Sequence, residues 1–470
     1  MMRALQERPP DSLAAVAPPP GLTARLGTFI ADTPRRPLAD DVQRTVRNGF
    51  VDTVAVMIAG REEPVTRIAR DWAAGRGGTS SQARVLLENE RCPAREAAFI
   101  NAVAAHALDY DDVGVGLQGH PSAVLVPALL AQGERLGSNG AALLSAYVAG
   151  HEVWAELICR DKDLHHLKGW HPTGVFGTLA VAAAVAALRG LDASRATHAL
   201  GLAASMAAGL TANFGSMAKP FHAGQAAAHG IDAVDLAEAG MTAATDVLEH
   251  PTGFLMAVSP AGRIDRTPPT RDFGQTPWLA KLGLTIKKYP MCFATHRVID
   301  AALDLARAHD VDPSLVDSIE ATVGPAQASM LRNARPRNGL EAKFSLQFAI
   351  AAPLVARACG LAQLENAFVQ RPEVQALFER VRVHTVNTAH PTEPTLAASD
   401  RLVIKLKDGR LLDSGEVFTA RGDASMPLGE DELTAKFVDC TRSLGPGRSH
   451  ALLDALLRLP QLRTLSEIPF

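Results

Sequence analysis

The sequence predicts a mainly α-helical protein, with a large all-α domain formed by both ends of the chain and an inserted, smaller α+β lid domain. From Thr23 to about Leu284, one helical pattern follows another. From about residue 285, apolar and polar residues alternate in the manner of strands. After Pro427, acidic residues open a return to amphipathic helix. The predicted ranges are a disordered leader over 1–22, the helical domain over 23–284, the lid over 285–426 and the C-terminal return over 427–470.

Start and stop signals divide the first range into helices. Asp41 opens a helix that Gly60 closes, and Pro93 stands at the start of another. The predicted helices cover residues 41–60, 94 onward, 141–157, 172–188, 193–210 and 223–239. The Ala and Gly content of 174–240 permits short distances between helix axes, so we expect the packed centre of the domain there.

Strand and helix signals alternate in the second range. Alternating residues predict strands at 318–323, 380–386 and 401–407, the last paired with 410–412 through a type I′ turn at Asp408-Gly409. Helical runs at 294–308 and 343–358 lie between these strands. Two further helices are predicted for the C-terminal return, at 431–443 and 448–458.

The composition is that of a globular protein and excludes several classes. With 47 basic against 50 acidic residues and no basic tract, binding to nucleic acid or to a membrane surface has little support. The longest uncharged stretch, about 201–218, is rich in Gly, Ser and Thr and predicts a buried helix, not a membrane span. The five cysteines lie scattered without metal-ligand spacing, which predicts a reducing, cytoplasmic setting and no metal site. No nucleotide-binding motif or signal peptide is found either.

One loop gathers polar residues between two apolar helical stretches: Asp109-Tyr-Asp-Asp-Val-Gly-Val-Gly-Leu-Gln-Gly-His120-Pro-Ser122. Carboxylates and a histidine at the mouth of apolar helices are either caps or a site. An ordinary turn is the alternative, with the glycines supplying positive φ. We interpret Asp109 and His120 as site residues, and Asp111 and Asp112 as turn and capping residues.

Four further stretches place charge or imidazole in apolar surroundings. They are Gly169-Trp-His171-Pro-Thr-Gly, Ser216-Met-Ala-Lys219-Pro-Phe-His222-Ala-Gly, Ile286-Lys287-Lys-Tyr-Pro-Met-Cys292-Phe-Ala-Thr-His296-Arg and Glu341-Ala-Lys-Phe-Ser-Leu-Gln-Phe348. Lys219 lies between two Ala-rich helices, where a lysine needs an anionic partner. Structural roles are the simpler interpretation of His106 and His222, and Cys292 is more often a small packed hydrophobe than a nucleophile.

Together, these stretches supply the groups needed to handle a carboxylated substrate. Lysines such as Lys219 and Lys287 neutralise carboxylates, which acidifies the adjacent C–H bond. A histidine or a carboxylate, among His120, His171 and Asp109, then moves the proton, with its pKa adjusted by burial.

These stretches, with His106-Ala-Leu-Asp-Tyr-Asp-Asp and Thr295-His296, resemble the MmgE/PrpD family in sequence and order from about residue 23 onward. That family includes 2-methylcitrate dehydratases, cis-aconitate decarboxylases and iminodisuccinate epimerases. The resemblance implies a helical domain with an inserted lid, a homodimer, and chemistry without metal or cofactor in the cleft between domains. By position, Asp109, His120, His171, Lys219 and Lys287 match the active-site pattern of the decarboxylases.

The chain departs from the family pattern at three positions that the resemblance places in the substrate pocket. Val113 stands for a threonine, Cys292 for a lid histidine and Phe348 for a lid tyrosine, and the 113–118 segment replaces a Thr-Trp sequence. Losing a hydroxyl, an imidazole and a phenol removes hydrogen bonds that a polar substrate would use. Predicted substrate-binding residues are Lys219, Lys287, Cys292, His296, Phe348 and Val113.

The main hypothesis is a metal-independent dehydratase that removes a proton next to a carboxylate and eliminates water from a small hydroxylated di- or tricarboxylate. In it the lysines bind carboxylates, His120 and His171 move protons, and Asp109 orients or polarises a histidine. The alternatives are an epimerase of a dicarboxylate, a cis-aconitate-type decarboxylase, and a carboxylate-binding family member without turnover.

Overall fold

The structure is a computed structural model that describes residues 21–75, 80–86, 91–161, 163–269, 273–390 and 395–470. The predicted leader therefore lies outside the described residues, apart from its last two positions. Leu22, the last of them, begins the first helix and is fully buried, so the folded chain starts slightly earlier than predicted.

Eleven helices in the described residues before 285 form the larger helical part of the fold. They are α1 Leu22–Asp32, α2 Asp40–Gly60, α3 Pro64–Ala74, α4 Ala94–Ala107, α5 Pro121–Leu136, α6 Gly140–Ile158, α7 Pro172–Leu188, α8 Ala193–Met206, α9 Ala218–Glu238, α10 Phe254–Val258 and α11 Trp278–Leu282. A two-stranded antiparallel sheet of β1 Ala83–Arg84 and β2 Arg91–Cys92 accompanies them, so this part is not strictly all-α.

Helix α7 lies at the centre of this part and packs against α5, α6, α8 and α9. It is buried from Pro172 to Ala187, as expected of a helix that is apolar on every side. Small residues permit the close packing: a Cβ added to Gly230 of α9 would lie 2.6 Å from Val181. The predicted packed centre is confirmed for α7 and for most of α9, but the predicted buried helix over about 201–218 is wrong. The helix there ends at Met206, and most residues from 204 to 218 are exposed or half-buried.

The ends of α8 and α9 differ from the predicted ones, and the difference bears on the site. Helix α8 ends at Met206 because Ala207 is extended, with ψ of 124°. Helix α9 begins at Ala218, not at 223, because Pro220 lies within its first turn, where a missing N–H costs nothing. Lys219 therefore belongs to the first turn of α9 and not to a connection between helices.

The second part combines a four-stranded sheet with six helices. The strands are β3 Val316–Val323, β4 Val381–Thr385, β5 Arg401–Leu406 and β6 Leu411–Asp413, in the order β4-β3-β5-β6. The helices are α12 His296–Ala308, α13 Pro325–Met330, α14 Gly339–Ala342, α15 Leu346–Ala356, α16 Asn366–Val369 and α17 Pro372–Phe378. Strands β3 and β4 are parallel and the other pairs antiparallel, so the chain crosses over between β3 and β4 through five of these helices.

The predicted hairpin is confirmed, but its predicted type I′ turn is wrong. A type I′ turn needs positive φ at both central residues. Gly409 has φ of +91°, whereas Asp408 is not among the residues with positive φ. The Gly409 N–H donates to the Leu406 carbonyl, so three residues, not two, make the turn.

Two large hydrophobic cores underlie the two parts, and a small third cluster joins α3, α4 and α9 in the described residues. The first extends from Leu22 to Ile286 and takes in the return helices α18 Glu430–Cys440 and α19 Pro446–Leu457, which pack on α2. The second is built from residues between Tyr289 and Leu412. Both ends of the chain thus share one helical core, with a smaller α+β part between them. The limits at 284 and 426 stay a prediction. No helix among the described residues is long and apolar enough to span a bilayer.

Candidate active site between the two cores

The loop between α4 and α5 carries the first set of polar side chains. Asp109 adopts the left-handed region with φ of 54°, which turns the chain sharply after α4. Val113 and Thr285 exchange backbone hydrogen bonds of 2.8 and 3.0 Å, and the Gly114 N–H donates to the Gly119 carbonyl at 2.8 Å. The loop is thereby fixed both to itself and to the segment that leads to Lys287.

Asp109 is bound by two lysine ammonium groups. Lys219 Nζ lies 2.7 Å from Asp109 Oδ1, and Lys287 Nζ lies 3.0 Å from the same oxygen and 2.8 Å from the Asp109 carbonyl. Burial raises the pKa of the Asp109 carboxyl, but the two ammonium groups outweigh it and hold that pKa well below its usual range. Burial lowers the pKa of Lys219, but Asp109 outweighs it and the net shift is upward. Lys219 has the anionic partner that its position required.

Asp111 lies between two imidazoles. Its Oδ2 is 2.9 Å from His106 Nδ1 and 3.0 Å from His120 Nδ1. Burial raises the pKa of Asp111, but His106 and His120 outweigh it, and the pKa stays well below its usual range. The contact of Asp111 with His120 Nδ1 is close in distance but lacks hydrogen-bond angles, so it acts as an electrostatic contact that favours a proton on Nδ1. On the other side of the ring, Nε2 lies 3.9 Å from Asp109 Oδ1.

This contact corrects two predictions. Asp111 is fully buried and contacts two histidines, so its role extends beyond the bend that the chain makes at this position. The predicted orienting contact of Asp109 on a histidine belongs to Asp111, because Asp109 is occupied by the lysines. The chain pattern hid this contact, since His106 precedes Asp111 by five positions across the end of α4.

Burial makes His120 a base and not an acid near pH 7. It lowers the pKa of His120 to about 4, although Asp111 opposes the shift. The ring is therefore neutral near pH 7, with one nitrogen able to accept a proton.

His171 and His222 form a second imidazole pair. Their Nδ1 atoms are 3.0 Å apart, so one ring donates and the other accepts. Burial, with His106 and Lys219 nearby, holds the pKa of His171 well below its usual range, and burial lowers that of His222 to about 4. His222 is therefore a direct partner of a site residue. The ring of His106 also stacks on that of His171, with centroids 5.9 Å apart.

Asp112 is tied to the start of α5 and fits the predicted capping role. It accepts hydrogen bonds from the Ser122 N–H at 3.2 Å and from the Ser122 hydroxyl, which lies 2.7 Å from the Tyr147 hydroxyl. Burial raises the pKa of Asp112 to about 8, because no cation faces this carboxyl as Lys219 faces Asp109. Asp112 is therefore mostly neutral at pH 7.

A cavity of about 370 Å³ opens between the two cores beside these groups. Its lining includes seven of the predicted residues: Asp109, Val113, His120, His171, Lys219, Lys287 and Cys292. Cys292 comes from the second core, so both parts of the chain form the wall. Burial raises the pKa of its thiol, which keeps the sulfur protonated and weakly nucleophilic.

The structure places two predicted substrate-binding residues away from this lining. His296 is fully buried, with Nε2 3.3 Å from the Met291 carbonyl and its ring against Tyr289 and Phe293. Phe348 is fully buried in the second core and contacts Phe368. Both side chains serve the packing of the wall behind the cavity.

Several polar residues of the lining were not singled out in the sequence. Gln118, His166, Ser329, Arg332 and Asn333 belong to this set. Arg332 also donates from the second core to the Phe214 carbonyl of the first, across the cleft. No spacing in the sequence marks these residues, because they come together only when the two cores close on each other.

A metal ion is a poor fit to this donor set. His106, Asp109, Asp111 and His120 offer ligand atoms that all lie within 4.8 Å of one another. However, the ammonium groups of Lys219 and Lys287 already bind the Asp109 carboxylate. A cation coordinated there would lie against two positive charges, so the lysines fill the charge-neutralising role themselves.

The fold and the site define a helical protein with an inserted α+β part and a cleft whose lining contains two lysines, an aspartate and two histidines of the predicted site. The chain belongs to the MmgE/PrpD family: residues 24–267 match its N-terminal domain and residues 289–459 its C-terminal domain. It is 29% identical to a cis-aconitate decarboxylase of Mus musculus over 91% of this chain and 88% of that protein. Identity to a cis-aconitate decarboxylase of Homo sapiens is 28%, over 85% and 83%. A cis-aconitate decarboxylase of Aspergillus terreus is 27% identical over 63% and 65%.

These relatives are enzymes, and a decarboxylase is a lyase. They support the decarboxylase alternative more than the dehydratase hypothesis.

Proposed function

We propose that the chain is a lyase that decarboxylates a small unsaturated di- or tricarboxylate of the cis-aconitate type. The observation that carries the proposal is the convergence of Lys219 and Lys287 on Asp109, beside the neutral imidazole of His120. The similarity to cis-aconitate decarboxylases supports the choice of a carbon–carbon bond as the one that is broken.

The lysines are the groups that bind the substrate carboxylates. In the described part of the chain, Lys219 donates to Asp109 Oδ1, and Lys287 donates to Asp109 Oδ1 and O. An ammonium group has three N–H donors. Two hydrogens of Lys219 and one of Lys287 thus remain for a substrate, while Asp109 holds both ammonium groups in place.

The proposed decarboxylation forms a carbanion next to a carboxylate, and a proton must then be added to carbon to give the product. As the C–C bond breaks, CO₂ leaves and the electron pair of that bond enters the conjugated system, reaching the oxygens of a second carboxylate. Lys219 and Lys287 stabilise that charge in a site that excludes most water. One proton then adds to the carbon at the other end of the system.

His120 is the proposed proton donor, with His171 as the second proton-carrying group. The imidazole of His120 is neutral near pH 7, but the negative charge of a bound substrate favours its protonated form. Binding would thus take up a proton, which Nε2 then gives to carbon. Asp111 holds the opposite ring nitrogen, so it orients His120 without touching the substrate.

A dehydratase is the second candidate, and one cavity residue counts against a decarboxylase. The protonated thiol of Cys292 replaces a lid histidine that the resemblance assigns to decarboxylases, whereas Val113 replaces a threonine of the whole family and does not separate the two activities. In a dehydratase, neutral His120 removes the proton next to a carboxylate, and a second group protonates the departing hydroxyl. Both candidates use the same lysines.

The test follows several carboxylates by proton NMR in D₂O, together with CO₂ release. The panel contains cis-aconitate, citrate, 2-methylcitrate, malate, tartrate and aspartate-derived dicarboxylates. CO₂ with a deuterated product supports the proposal, and water loss without CO₂ selects the dehydratase. Inversion without loss selects an epimerase, and binding without any exchange selects a carboxylate-binding protein.

We also propose that the chain is a homodimer and that it works in the cytoplasm. Light scattering of the purified protein measures the first, with a mass near 99 kDa expected from two chains of 49.7 kDa. A mass of one chain across micromolar concentrations would contradict it.

A further inference from the structure

Lys436 is a buried lysine of the C-terminal return that does not line the cavity. It lies on α18 and is only 6% exposed. Its Nζ donates to the Tyr110 carbonyl at 2.8 Å and to the Lys287 carbonyl at 2.8 Å. The same atom lies 2.5 Å from Asp52 Oδ1 on α2 and 4.0 Å from the centre of the Tyr110 ring.

The two carbonyls belong to the segments that carry the site. Tyr110 follows Asp109 directly, and Lys287 is the residue whose ammonium binds Asp109. The Lys436 ammonium therefore binds the backbone at Tyr110 and at Lys287. The Lys287 side chain links the same two segments on the cavity side, through Asp109. No other described residue donates side-chain hydrogen bonds to both carbonyls.

Asp52 balances the positive charge of Lys436. The side chains of Asp52 and Lys436 are 0% and 4% exposed, so each would be costly to bury without the other. The opposite charges cancel locally, so Lys436 adds no uncompensated charge to that of the cations in the cavity lining, Lys219, Lys287 and Arg332. The desolvation of two buried charges offsets much of their attraction, so this pair is no evidence of a gain in net stability.

We infer that Lys436, held by Asp52, is a positioning residue that sets the distance between Asp109 and Lys287 and thereby the affinity and turnover of the proposed site. The predicted effect on turnover rests on the proposed function, whereas the predicted effect on affinity does not. It places the C-terminal return, which does not line the cavity, among the parts that determine catalysis.

Lys288 provides a matched control. Its Nζ lies 2.5 Å from Glu432 Oε1, so it joins the same segment to the same helix. The side chains of this pair are half-buried and exposed, at 30% and 44%. Lys288 contacts the Asp109 loop through its backbone carbonyl, which accepts from the Tyr110 hydroxyl at 3.1 Å and which a side-chain substitution keeps. Lys288→Met therefore removes a tether between these elements without removing the contact to the site.

The experiment measures kcat and KM on the active substrate and, by calorimetry, the affinity for propane-1,2,3-tricarboxylate, a saturated probe that cannot react. Lys436→Met is expected to lower kcat/KM by at least about 10²-fold and to weaken probe binding at least about tenfold. Lys436→Arg restores most of both, and Lys288→Met changes neither by more than about twofold. In a Lys287→Met background, Lys436→Met has little further effect, because the positioned group is gone.

Three results would overturn the inference: probe affinity and kcat of Lys436→Met within twofold of the parent, equal losses in the Lys288→Met control, or full additivity with Lys287→Met. If Lys436→Met does not fold, Asp52→Asn decides, since it keeps the shape but removes the charge that holds the lysine. Unchanged probe affinity in that variant contradicts the inference. If the parent turns over no acid in the panel, the proposed function fails, and the affinity measurements still test Lys436.

Discussion

Asp109, Asp111 and Asp112 stand within four positions of one another, and burial gives each a different role. Asp109 binds two lysines, Asp111 contacts two histidines, and Asp112 binds the hydroxyl of Ser122. The first two have lowered pKa values and the third a raised one, because only the third lacks a cationic partner. Three identical side chains in one loop thus have three roles: Asp109 holds two lysines, Asp111 orients a histidine, and Asp112 is a neutral group at the start of a helix.

The Asp111 assignment predicts a large loss of turnover for Asp111→Asn. An amide cannot hold the proton of His120 on Nδ1 as a carboxylate does, so we expect kcat to fall at least about 10²-fold with little change in KM. Asp112→Asn is the matched control, since it replaces an adjacent buried carboxyl that is already mostly neutral. Steady-state kinetics measures both. Equal losses in the two variants would refute the orienting role.

The raised pKa of Asp112 predicts how its removal changes stability with pH. The folded carboxyl keeps its proton up to about pH 8, whereas an unfolded one loses it near pH 4. Its contribution is therefore fully present below pH 4 and is lost as the pH rises toward 8. Relative to the parent, Asp112→Asn should gain up to about 1.4 kcal/mol of unfolding free energy per pH unit between pH 5 and 7. Urea titrations measure this, and a difference independent of pH would contradict the assignment.

At the scale of elements, the site depends on where a loop and the start of α9 are held. Asp109, His120, His171, Lys219 and Lys287 could be found in the sequence, because charge in apolar or turn-like stretches stands out locally. The role of Asp111 was misjudged, since its partners are His106 at the end of α4 and His120 at the far end of the same loop. The start of α9 was set five residues late, because Pro220 lies in its first turn, where proline is tolerated.

Gly119, at the end of the Val113–Gly119 loop, lies too close to Trp154 to carry a side chain. A Cβ there would lie 2.7 Å from Trp154 Cζ2, and Trp154 is fully buried and cannot move aside. We expect Gly119→Ala to displace the adjacent His120, lowering kcat at least about tenfold and the melting temperature by several degrees.

Gly116→Ala is the control within the same loop. Its Cβ would lie 2.9 Å from the flexible end of Leu282, which can rotate away. Kinetics and thermal unfolding should therefore change much less than for Gly119→Ala. Equal effects at the two positions would show that the contact with Trp154 does not hold the loop.

At the scale of the whole molecule, the cavity wall comes from both hydrophobic cores. The mainly α fold and the return of the C-terminus to the helical core could be predicted, because helical and strand periodicity are local signals. Arg332 and Asn333 could not be placed in the cavity, since their position depends on how the cores meet. His296 and Phe348 lie in the correct part of the chain, but packing turns them away from the cavity.

A ligand that contacts both cores should stabilise them together. Propane-1,2,3-tricarboxylate at about 100 times its Kd is expected to add about 2.7 kcal/mol of unfolding free energy. Scanning calorimetry should show one transition that moves upward with concentration, and Lys287→Met should reduce the shift. Movement of only one of two separate transitions would contradict binding between the cores.

The central claim is that Lys219 and Lys287, held by Asp109, stabilise an anion formed next to a carboxylate. Its most direct test is CO₂ release and deuterium incorporation from cis-aconitate in D₂O by the parent and by Lys219→Met. Lys281→Met, at an exposed position, is the control. We predict that Lys219→Met keeps its circular dichroism spectrum but loses at least about 10²-fold in both signals, while the control retains them. Release of CO₂ by Lys219→Met within tenfold of the parent would contradict the account.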